Sequence, residues 1–551
     1  MKRLPIGISD FRNLIELDYF FVDKTNLISE IYRESAATIL ITRPRRFGKT
    51  LNMSMLNYFY DNSLRTETLF KNFNVNKDKE IMDNINGYPT IFISFKDIKN
   101  NNWNSAFENI KLSISKLYIS KEKVLEGIFS DENKREYFKK ITNRSASDID
   151  FQNSLLNLTD YLYNLYGKPV LLLIDEYDVP IQSGWTHGYY DDVIDFMRIF
   201  LSAALKDNSN LFKGVLTGIY RVAKESIFSG LNNLSVFTIL EKDYSEYFGF
   251  TEAEIELILN ELGKNEDENI KNGLREWYNG YSFGGNTIYN PWSIINYLRY
   301  EDLKAYWINT SSNDLIIRLV EENLKRRDSF REEIETIISG NPLEKYIDDS
   351  SALREIEKIP NAIWSLFLFS GYLKPENVNL ERGKYRCELK IPNEEVNIFF
   401  QDTVINWLNC ADYDEKFTYM SKALISGDGE TFCIKLKDFV QSTLSYYDIE
   451  KVPENTYHIL LLGIFAQLQE RYYVKSNRES GKGRYDILLK SKDKKDFSII
   501  LEIKNGIENL NKALIQIEER DYTRELVQEG YTNILKVAIG VDGKNVETML
   551  G

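Results

Sequence analysis

Apolar positions in this chain come in short unbroken runs, separated by longer stretches with helical spacing, and the alternation repeats through the first 250 residues. The runs are Thr38-Ile39-Leu40-Ile41, Thr90-Ile91-Phe92-Ile93-Ser94-Phe95, Val170-Leu171-Leu172-Leu173-Ile174, Phe212-Lys213-Gly214-Val215-Leu216-Thr217-Gly218 and Val236-Phe237-Thr238-Ile239-Leu240. Continuous apolar runs of this length are what strands buried on both faces require. Between them the spacing predicts an amphipathic helix over 26–33, a helix over 51–60 and mostly helical structure over 103–166. Strands alternating with helices predict a parallel sheet covered on both faces.

Beyond residue 245 the pattern changes. Thr251-Glu252-Ala253-Glu254-Ile255 opens a helix at a capping threonine. An aromatic, glycine-rich turn over 278–285 and another helix start at Asn290-Pro291-Trp292-Ser293 follow, which suggests a helical lid over 251–345. Its aromatics are expected to be core. A helix over 363–368, strands at Gly371-Tyr372-Leu373 and 385–391, and a helix from Asn393 suggest a winged-helix-like connector over 346–410. No Arg or Lys cluster marks a recognition helix there, so packing is its expected job. The last part, 411–551, is predicted as a second α/β unit: a helix over 454–470, strands over 472–475, 483–489 and 497–504, a helix over 510–529 and a strand over 535–540.

Composition narrows the chemistry. At 551 residues the chain exceeds one ordinary core. Its 43% hydrophobic and 28% charged residues are those of a soluble globular protein, no apolar run reaches membrane-span length, and Met1-Lys2-Arg3-Leu4-Pro5 has no apolar signal core behind it. A cytoplasmic protein without membrane contact is expected. Cys387, Cys410 and Cys433 show no metal-ligand spacing, and His187 and His458 are too few for a zinc site. Any metal should therefore be oxygen-bound, as Mg²⁺ or Mn²⁺ is. A net charge of −14 restricts nucleic-acid contact to a local basic patch.

Arg43-Pro44-Arg45-Arg46-Phe47-Gly48-Lys49-Thr50 lies between a predicted strand and a predicted helix. A loop ending in Gly-Lys-Thr at that junction cradles phosphates with backbone N–H groups, Lys49 reaching the terminal phosphates and the Thr50 hydroxyl reaching Mg²⁺. Arg43 replaces the usual first glycine, so the loop must close without it. The run Val170–Ile174 delivers Asp175-Glu176-Tyr177-Asp178 to a strand end, where Asp175 would hold Mg²⁺ through water and Glu176 would polarise the attacking water. The two motifs together are far more specific than either alone. Their separation of about 126 residues implies a helical insertion. Thr217 is placed to sense the γ-phosphate; Arg221 would touch phosphate or pair with a surface carboxylate. The segment Tyr19-Phe20-Phe21-Val22-Asp23-Lys24-Thr25 would pack beside the base or form an edge hairpin with a capping helix.

A second constellation lies near the C-terminus. Period-two alternation puts Glu502 and Lys504 on one strand face, and Asp486 on the neighbouring strand is in reach of both. Two carboxylates and an ammonium on a sheet face can bind Mg²⁺ and activate water for phosphodiester hydrolysis; an exposed charged face is the plain alternative. Against it, Glu502 and Lys504 interrupt a strand that is otherwise apolar, where unpaired charge is costly. The order helix, three strands, helix, strand is also what such a site needs. Residues 471–504 carry 10 Lys or Arg against 5 Asp or Glu, a basic neighbourhood in an acidic chain.

These motifs carry a resemblance. Pro5-Ile6-Gly7, Tyr19 to Thr25, Arg43 to Thr50, Ile174-Asp175-Glu176-Tyr177-Asp178, Leu216-Thr217-Gly218 and Phe228-Ser229-Gly230-Leu231-Asn232-Asn233 resemble the prokaryotic AAA-ATPase-like family over residues 1–250. Glu479-Ser480-Gly481-Lys482-Gly483-Arg484-Tyr485-Asp486 and Glu502-Ile503-Lys504 resemble the PD-(D/E)XK nuclease superfamily, in the branch fused to such ATPases. The resemblance implies an α/β multidomain protein: a P-loop NTPase parallel sheet with helical lid and winged-helix-like connector, then an α/β nuclease-like fold. It implies ATP and Mg²⁺ (or Mn²⁺) as cofactors, with Arg46, Gly48, Lys49, Thr50, Asp175 and Thr217 at the nucleotide and Thr50 and Asp175 at its metal. At the second site it implies Asp486 and Glu502 as metal ligands and Lys504 orienting water or stabilising charge. Gln516 matches a helix glutamine of this branch, with Tyr522 nearby, and Glu454 is a candidate extra carboxylate. Arg43 is shared by the ATPase family, so it bears on turnover more than on binding. The expected function is an ATPase module gating a nuclease on DNA or RNA; a second copy of the chain is a further candidate partner. The rival reading is a nucleotide-dependent switch or scaffold that binds nucleic acid or a partner without cleavage, and an ATP-driven motor ranks last.

Overall fold

The computed structural model describes all residues except 1–2, 126–130, 222–232, 265–266, 309–312, 339, 350–352, 357–358, 408–418, 424–425, 445–456, 459–460, 463–464, 466–467, 469–470, 477–478, 481–482 and 543–544. Glu454, Gly481 and Lys482, with Phe228 to Asn232, lie outside the described residues. Two compact units emerge: Met1–Ser311 with Glu344–Asn393, and Ser312–Leu343 with Glu394–Gly551. The predicted lid and connector stretches are therefore each shared between the units. The reason is packing: helix Glu394–Trp407 lies against helices Asp314–Arg326 and Asp328–Ile338. No helix among the described residues is long and apolar enough to cross a membrane.

In the first unit, β1 (Thr38–Thr42), β2 (Thr90–Ser94), β3 (Val170–Asp175), β4 (Leu211–Gly218) and β5 (Leu234–Phe237) form a parallel sheet in the order β2-β3-β4-β1-β5. β1 and β3 are buried along their whole length, which is why their sequences are apolar on both faces. The register sets Ser94 beside Asp175 and Thr42 beside Gly218, so one sheet edge gathers the polar residues that end each apolar run. β5 stops before the predicted Leu240, because Thr238 turns the chain: its N–H and Oγ1 both donate to Glu241 Oε2 at 2.6 Å. Helices Trp103–Leu125, Glu132–Thr142, Asp148–Gln152 and Ser154–Tyr166 form the insertion between β2 and β3.

The segment before β1 is tied into the first unit by hydrogen bonds. Asp23 Oδ1 accepts from the Thr25 N–H and hydroxyl and Oδ2 from the Asn74 N–H, while buried Lys24 bonds Glu254 Oε1 at 2.5 Å and the Glu246 carbonyl at 2.6 Å. Past the sheet, helices Glu252–Glu261, Glu268–Tyr278 and Pro291–Tyr300 enclose a core that includes Tyr278, Tyr289, Tyr297 and Tyr306, so those aromatics pack rather than line an open groove. Strands Leu343–Ile347, Lys384–Lys390 and Lys374–Glu381 form a three-stranded sheet beside helix Ala362–Phe369. Gly371-Tyr372-Leu373 is not the strand its sequence predicts. Gly371 takes φ +88°, and the Tyr372 and Leu373 N–H groups bond back to the Phe367 carbonyl, closing the helix end.

In the second unit, β6 (Tyr472–Ser476), β7 (Ile487–Ser491), β8 (Ser498–Asn505), β9 (Ile534–Asp542) and β10 (Asn545–Leu550) form one sheet in that order, parallel only between β8 and β9. The predicted strand 483–489 is broken: Gly483–Arg484 pairs with Glu479–Ser480, β7 starts at Ile487, and Asp486 falls in the break. The predicted helix 510–529 is also two, Leu510–Glu519 and Arg524–Gln528, because Asp521 adopts φ +53°. β10 has no counterpart in the prediction.

Candidate functional site

Two clusters gather the residues singled out by sequence. In the first, β1 delivers the loop 43–48 to helix Lys49–Tyr60, with Gly48 at φ +85° as the residue before the helix. A side chain is disfavoured at that angle, and the space a Cβ would fill is open. A left-handed glycine with open space at the start of a 12-residue helix suits an anion. Lys49 is buried, donates to the Arg43 and Pro44 carbonyls at 3.1 and 3.0 Å, and lies 3.2 Å from Glu176 Oε1. Glu176 takes φ +54°, an uncommon angle that turns the chain sharply where β3 ends. Asp175 accepts from three hydroxyls: Thr50 at 2.9 Å, Ser94 at 3.0 Å and Thr217 at 2.8 Å. Burial, then the neighbouring Glu176 charge, raises its carboxyl above the ordinary range. These are hard oxygen donors, the chemistry Mg²⁺ takes.

Arg43 departs from the loop's role altogether. Its guanidinium is fully buried beneath the sheet end, donating to the Thr42 carbonyl at 2.7 Å, the Phe237 carbonyl at 3.0 Å and the Asp243 carbonyl at 3.3 Å, between the rings of Phe248 and Phe283. Its N–H still bonds the Gly218 carbonyl at 3.0 Å, extending the β1–β4 ladder by one residue. Arg46 takes φ +67° and lays its guanidinium over Trp292 at 4.3 Å. Arg221 pairs with Asp349 at 2.9 Å, the carboxylate alternative of the two foreseen.

Sequence reasoning missed Ser94 and the structural role of Asp178 here. Ser94 is a polar residue ending a buried strand, the same signal that found Thr217. Asp178 is fully buried, and its Oδ2 accepts from the Ile219 N–H at 2.8 Å, the Tyr220 N–H at 3.1 Å and Gln182 Nε2 at 2.8 Å, tying the turn after β3 to the end of β4. Burial and Glu176 raise its carboxyl to about 6.

The second cluster sits at β7 and β8. Glu502 is wholly buried in β8. Its Oε1 accepts from Lys504 Nζ at 2.7 Å and from Gln516 Nε2, while its Oε2 is buried with no hydrogen-bond partner. Gln516 Nε2 also donates to Tyr522 Oη at 3.1 Å. Asp486 Oδ2 accepts from the Ile503 N–H at 2.6 Å, which brings the carboxylate onto the β8 backbone between Glu502 and Lys504. Burial, then the Asp486 charge, pushes the Glu502 carboxyl up to about 7; burial also raises that of Asp486. The structure therefore brings Asp486, Glu502, Lys504 and Gln516 together. An orphaned carboxylate oxygen buried beside a second carboxylate fits a cation. No group of three or more His, Cys, Asp or Glu that could hold a metal occurs among the described residues, and Mg²⁺ needs few protein ligands because it keeps several waters.

His458 and Glu335 adjoin this cluster and had no sequence signal. His458 Nε2 lies 2.9 Å from the Asp486 carbonyl and Nδ1 meets Glu335 Oε1. Burial opposes charge on the ring, but Glu335 and Asp486 together outweigh it and raise the imidazole above its ordinary value. Glu335 lies 123 residues upstream, in a helix read as part of a lid.

The comparisons with known proteins follow the same division. A family model described as predicted AAA-ATPase matches residues 5–228, and one described as PD-(D/E)XK nuclease superfamily matches residues 452–549. An uncharacterized protein in the vnfD 5′ region of Azotobacter chroococcum mcd 1 is 26% identical over 413 residues, covering 73% of this chain and 70% of that protein. The chain thus carries an AAA-ATPase-like domain at 5–228 fused to a domain of the PD-(D/E)XK nuclease superfamily at 452–549.

Proposed function

We propose that this protein binds and hydrolyses ATP at its first site and cleaves phosphodiester bonds of DNA or RNA at its second, with nucleotide state controlling cleavage. The observation that carries the nuclease reading is Glu502: a buried carboxylate with one oxygen held by Lys504 and Gln516 and the other unpaired, beside Asp486. Asp486 and Glu502 would hold Mg²⁺ or Mn²⁺, which supplies charge neutralisation at the phosphate and a more acidic water. Lys504 places an ammonium at that centre, and Gln516 fixes the Glu502 rotamer. At the first site Gly48, Lys49 and the start of the following helix receive phosphate oxygens, with Arg46 beside them. Thr50 and Asp175 would hold Mg²⁺, Thr217 tethers Asp175, and Glu176 acts on the attacking water. Control of one site by the other is inferred from their fusion in one chain.

The test is incubation of the full chain with mixed DNA and RNA, with Mn²⁺ or chelator. Metal-dependent products that vanish in Asp486→Asn support the reading. Binding without products at any metal concentration would replace it with the switch or scaffold alternative. Control is tested by cleavage rates with ATP, ADP and no nucleotide; equal rates in all three remove the regulatory claim.

Two further outcomes are expected. Glu176→Gln should retain ATP binding while hydrolysis falls by on the order of 10²–10⁴, the usual worth of a positioned general base; unchanged turnover would dismiss Glu176. For the second site, a metal ligand must be ionised, and the metal-free Glu502 carboxyl, pushed up to about 7, is mostly protonated below that pH. Metal binding below that pH must expel the proton, so Mn²⁺ affinity by calorimetry should rise as pH increases toward 7 and then level. A pH-independent affinity between 5.5 and 8 would be inconsistent with Glu502 as ligand.

A further inference from the structure

We propose that His458 and Glu335 are positioning residues of the second site, holding the main chain at Asp486 so that its carboxylate faces the unpaired oxygen of Glu502. The inference rests on the reading of Asp486 and Glu502 as a metal-binding pair. Asp486 falls in the gap between the short strand Gly483–Arg484 and β7, so no sheet ladder holds its backbone. Two contacts hold it instead. The Ile503 N–H fixes the carboxylate at 2.6 Å, and His458 Nε2 fixes the carbonyl at 2.9 Å.

The imidazole is in turn held at its other nitrogen by Glu335 Oε1. Both side chains are nearly buried, at 8% and 12% exposure, so water does not compete for these bonds. With an oxygen opposite each ring nitrogen, a ring flip or a change of rotamer would cost both contacts. The chain of contacts runs from helix Asp328–Ile338 through the His458 ring to the main chain of a candidate ligand. Such outer partners orient the groups that touch the metal without touching it themselves, and losing one costs about 10–100-fold in metal affinity or activity.

The experiment is Mn²⁺ binding by calorimetry on the full chain, with thermal unfolding alongside, for wild type, His458→Ala, His458→Gln and Glu335→Gln. His458→Ala should weaken Mn²⁺ about 10–100-fold, and cleavage should fall at low Mn²⁺ and recover at saturating Mn²⁺. His458→Gln, whose amide can donate to the same carbonyl, should recover part of the affinity. Glu335→Gln, isosteric and the least disruptive, should weaken Mn²⁺ by a smaller factor. If the folded variants bind Mn²⁺ as wild type does, or lose only thermal stability, the inference is overturned while the nuclease reading stands. Should His458→Ala not fold, Glu335→Gln and His458→Gln decide the matter. A wild type that binds no Mn²⁺ removes the nuclease reading and this inference with it.

Discussion

Lys504→Ala is expected to lower phosphodiester cleavage by on the order of 10²–10³, the worth of a preorganised group at developing charge. Its ammonium lies 2.7 Å from Glu502 Oε1 and is less than one-third exposed, which places it to act on both the carboxylate and whatever the carboxylate would hold. Two consequences separate. Without Lys504 the buried Glu502 loses its counter-ion, its carboxyl rises further, and Mn²⁺ binding weakens near neutral pH. That part should be recovered by raising pH to about 8.5 and saturating Mn²⁺, since ionisation of a raised carboxyl is completed by higher pH. The loss of charge at the reacting phosphate is not recovered by either. Single-turnover cleavage at saturating Mn²⁺ and high pH is the decisive measurement. Full activity there would reduce Lys504 to a tuner of Glu502.

Arg43→Gly, which restores the usual first glycine of a phosphate loop, should destabilise the first unit by about 3–5 kcal/mol rather than improve the site. Arg43 already extends the β1–β4 ladder, and its backbone does not adopt a positive φ that would call for glycine. Its side chain supplies donors to three carbonyls, two of them on the segment that follows β5 or ends it, and fills space between Phe248 and Phe283. Glycine leaves those carbonyls unsatisfied and opens a cavity. Burial pulls the guanidinium below its ordinary pKa, with Glu241 only partly offsetting it, so the charge itself is a cost. Arg43→Met, which fills the volume without the charge, should therefore lose less than Arg43→Gly. Urea unfolding of both variants, with ATP affinity measured in parallel, checks the argument. A glycine variant as stable as wild type that hydrolyses ATP faster would contradict it.

The first site was largely legible because its residues are neighbours in sequence or end buried strands. Asp175 and Thr217 end apolar runs directly, Lys49 and Thr50 follow the short loop that leaves one, and a parallel sheet brings such ends together. Asp178 was legible as a carboxylate but not as a tie, since its partners Ile219 and Tyr220 lie some 40 residues on. In the second site Glu502 and Lys504 were legible from strand alternation, and their contact at 2.7 Å follows from it. The break that frees Asp486 was not. It depends on Gly483–Arg484 choosing Glu479–Ser480 as partner instead of continuing into β7.

By itself, the sequence determined what periodicity and local chemistry can determine: a parallel sheet with a phosphate-loop junction, a second α/β unit, and carboxylates at one strand end and on one strand face. Strand burial is written in apolar runs, and side-chain alternation is a property of the backbone, so both survive without knowledge of partners. Only the tertiary structure decided where Arg43 points, which carboxylate Arg221 meets, and that helix Asp328–Ile338 reaches the second site through Glu335 and His458. It alone also showed that one oxygen of Glu502 is buried without a partner. The contacts of Arg43, Arg221, Glu335 and His458 join residues far apart in the chain, formed because buried polar groups must find partners wherever packing brings them, whereas packing closes around that Glu502 oxygen without supplying a donor.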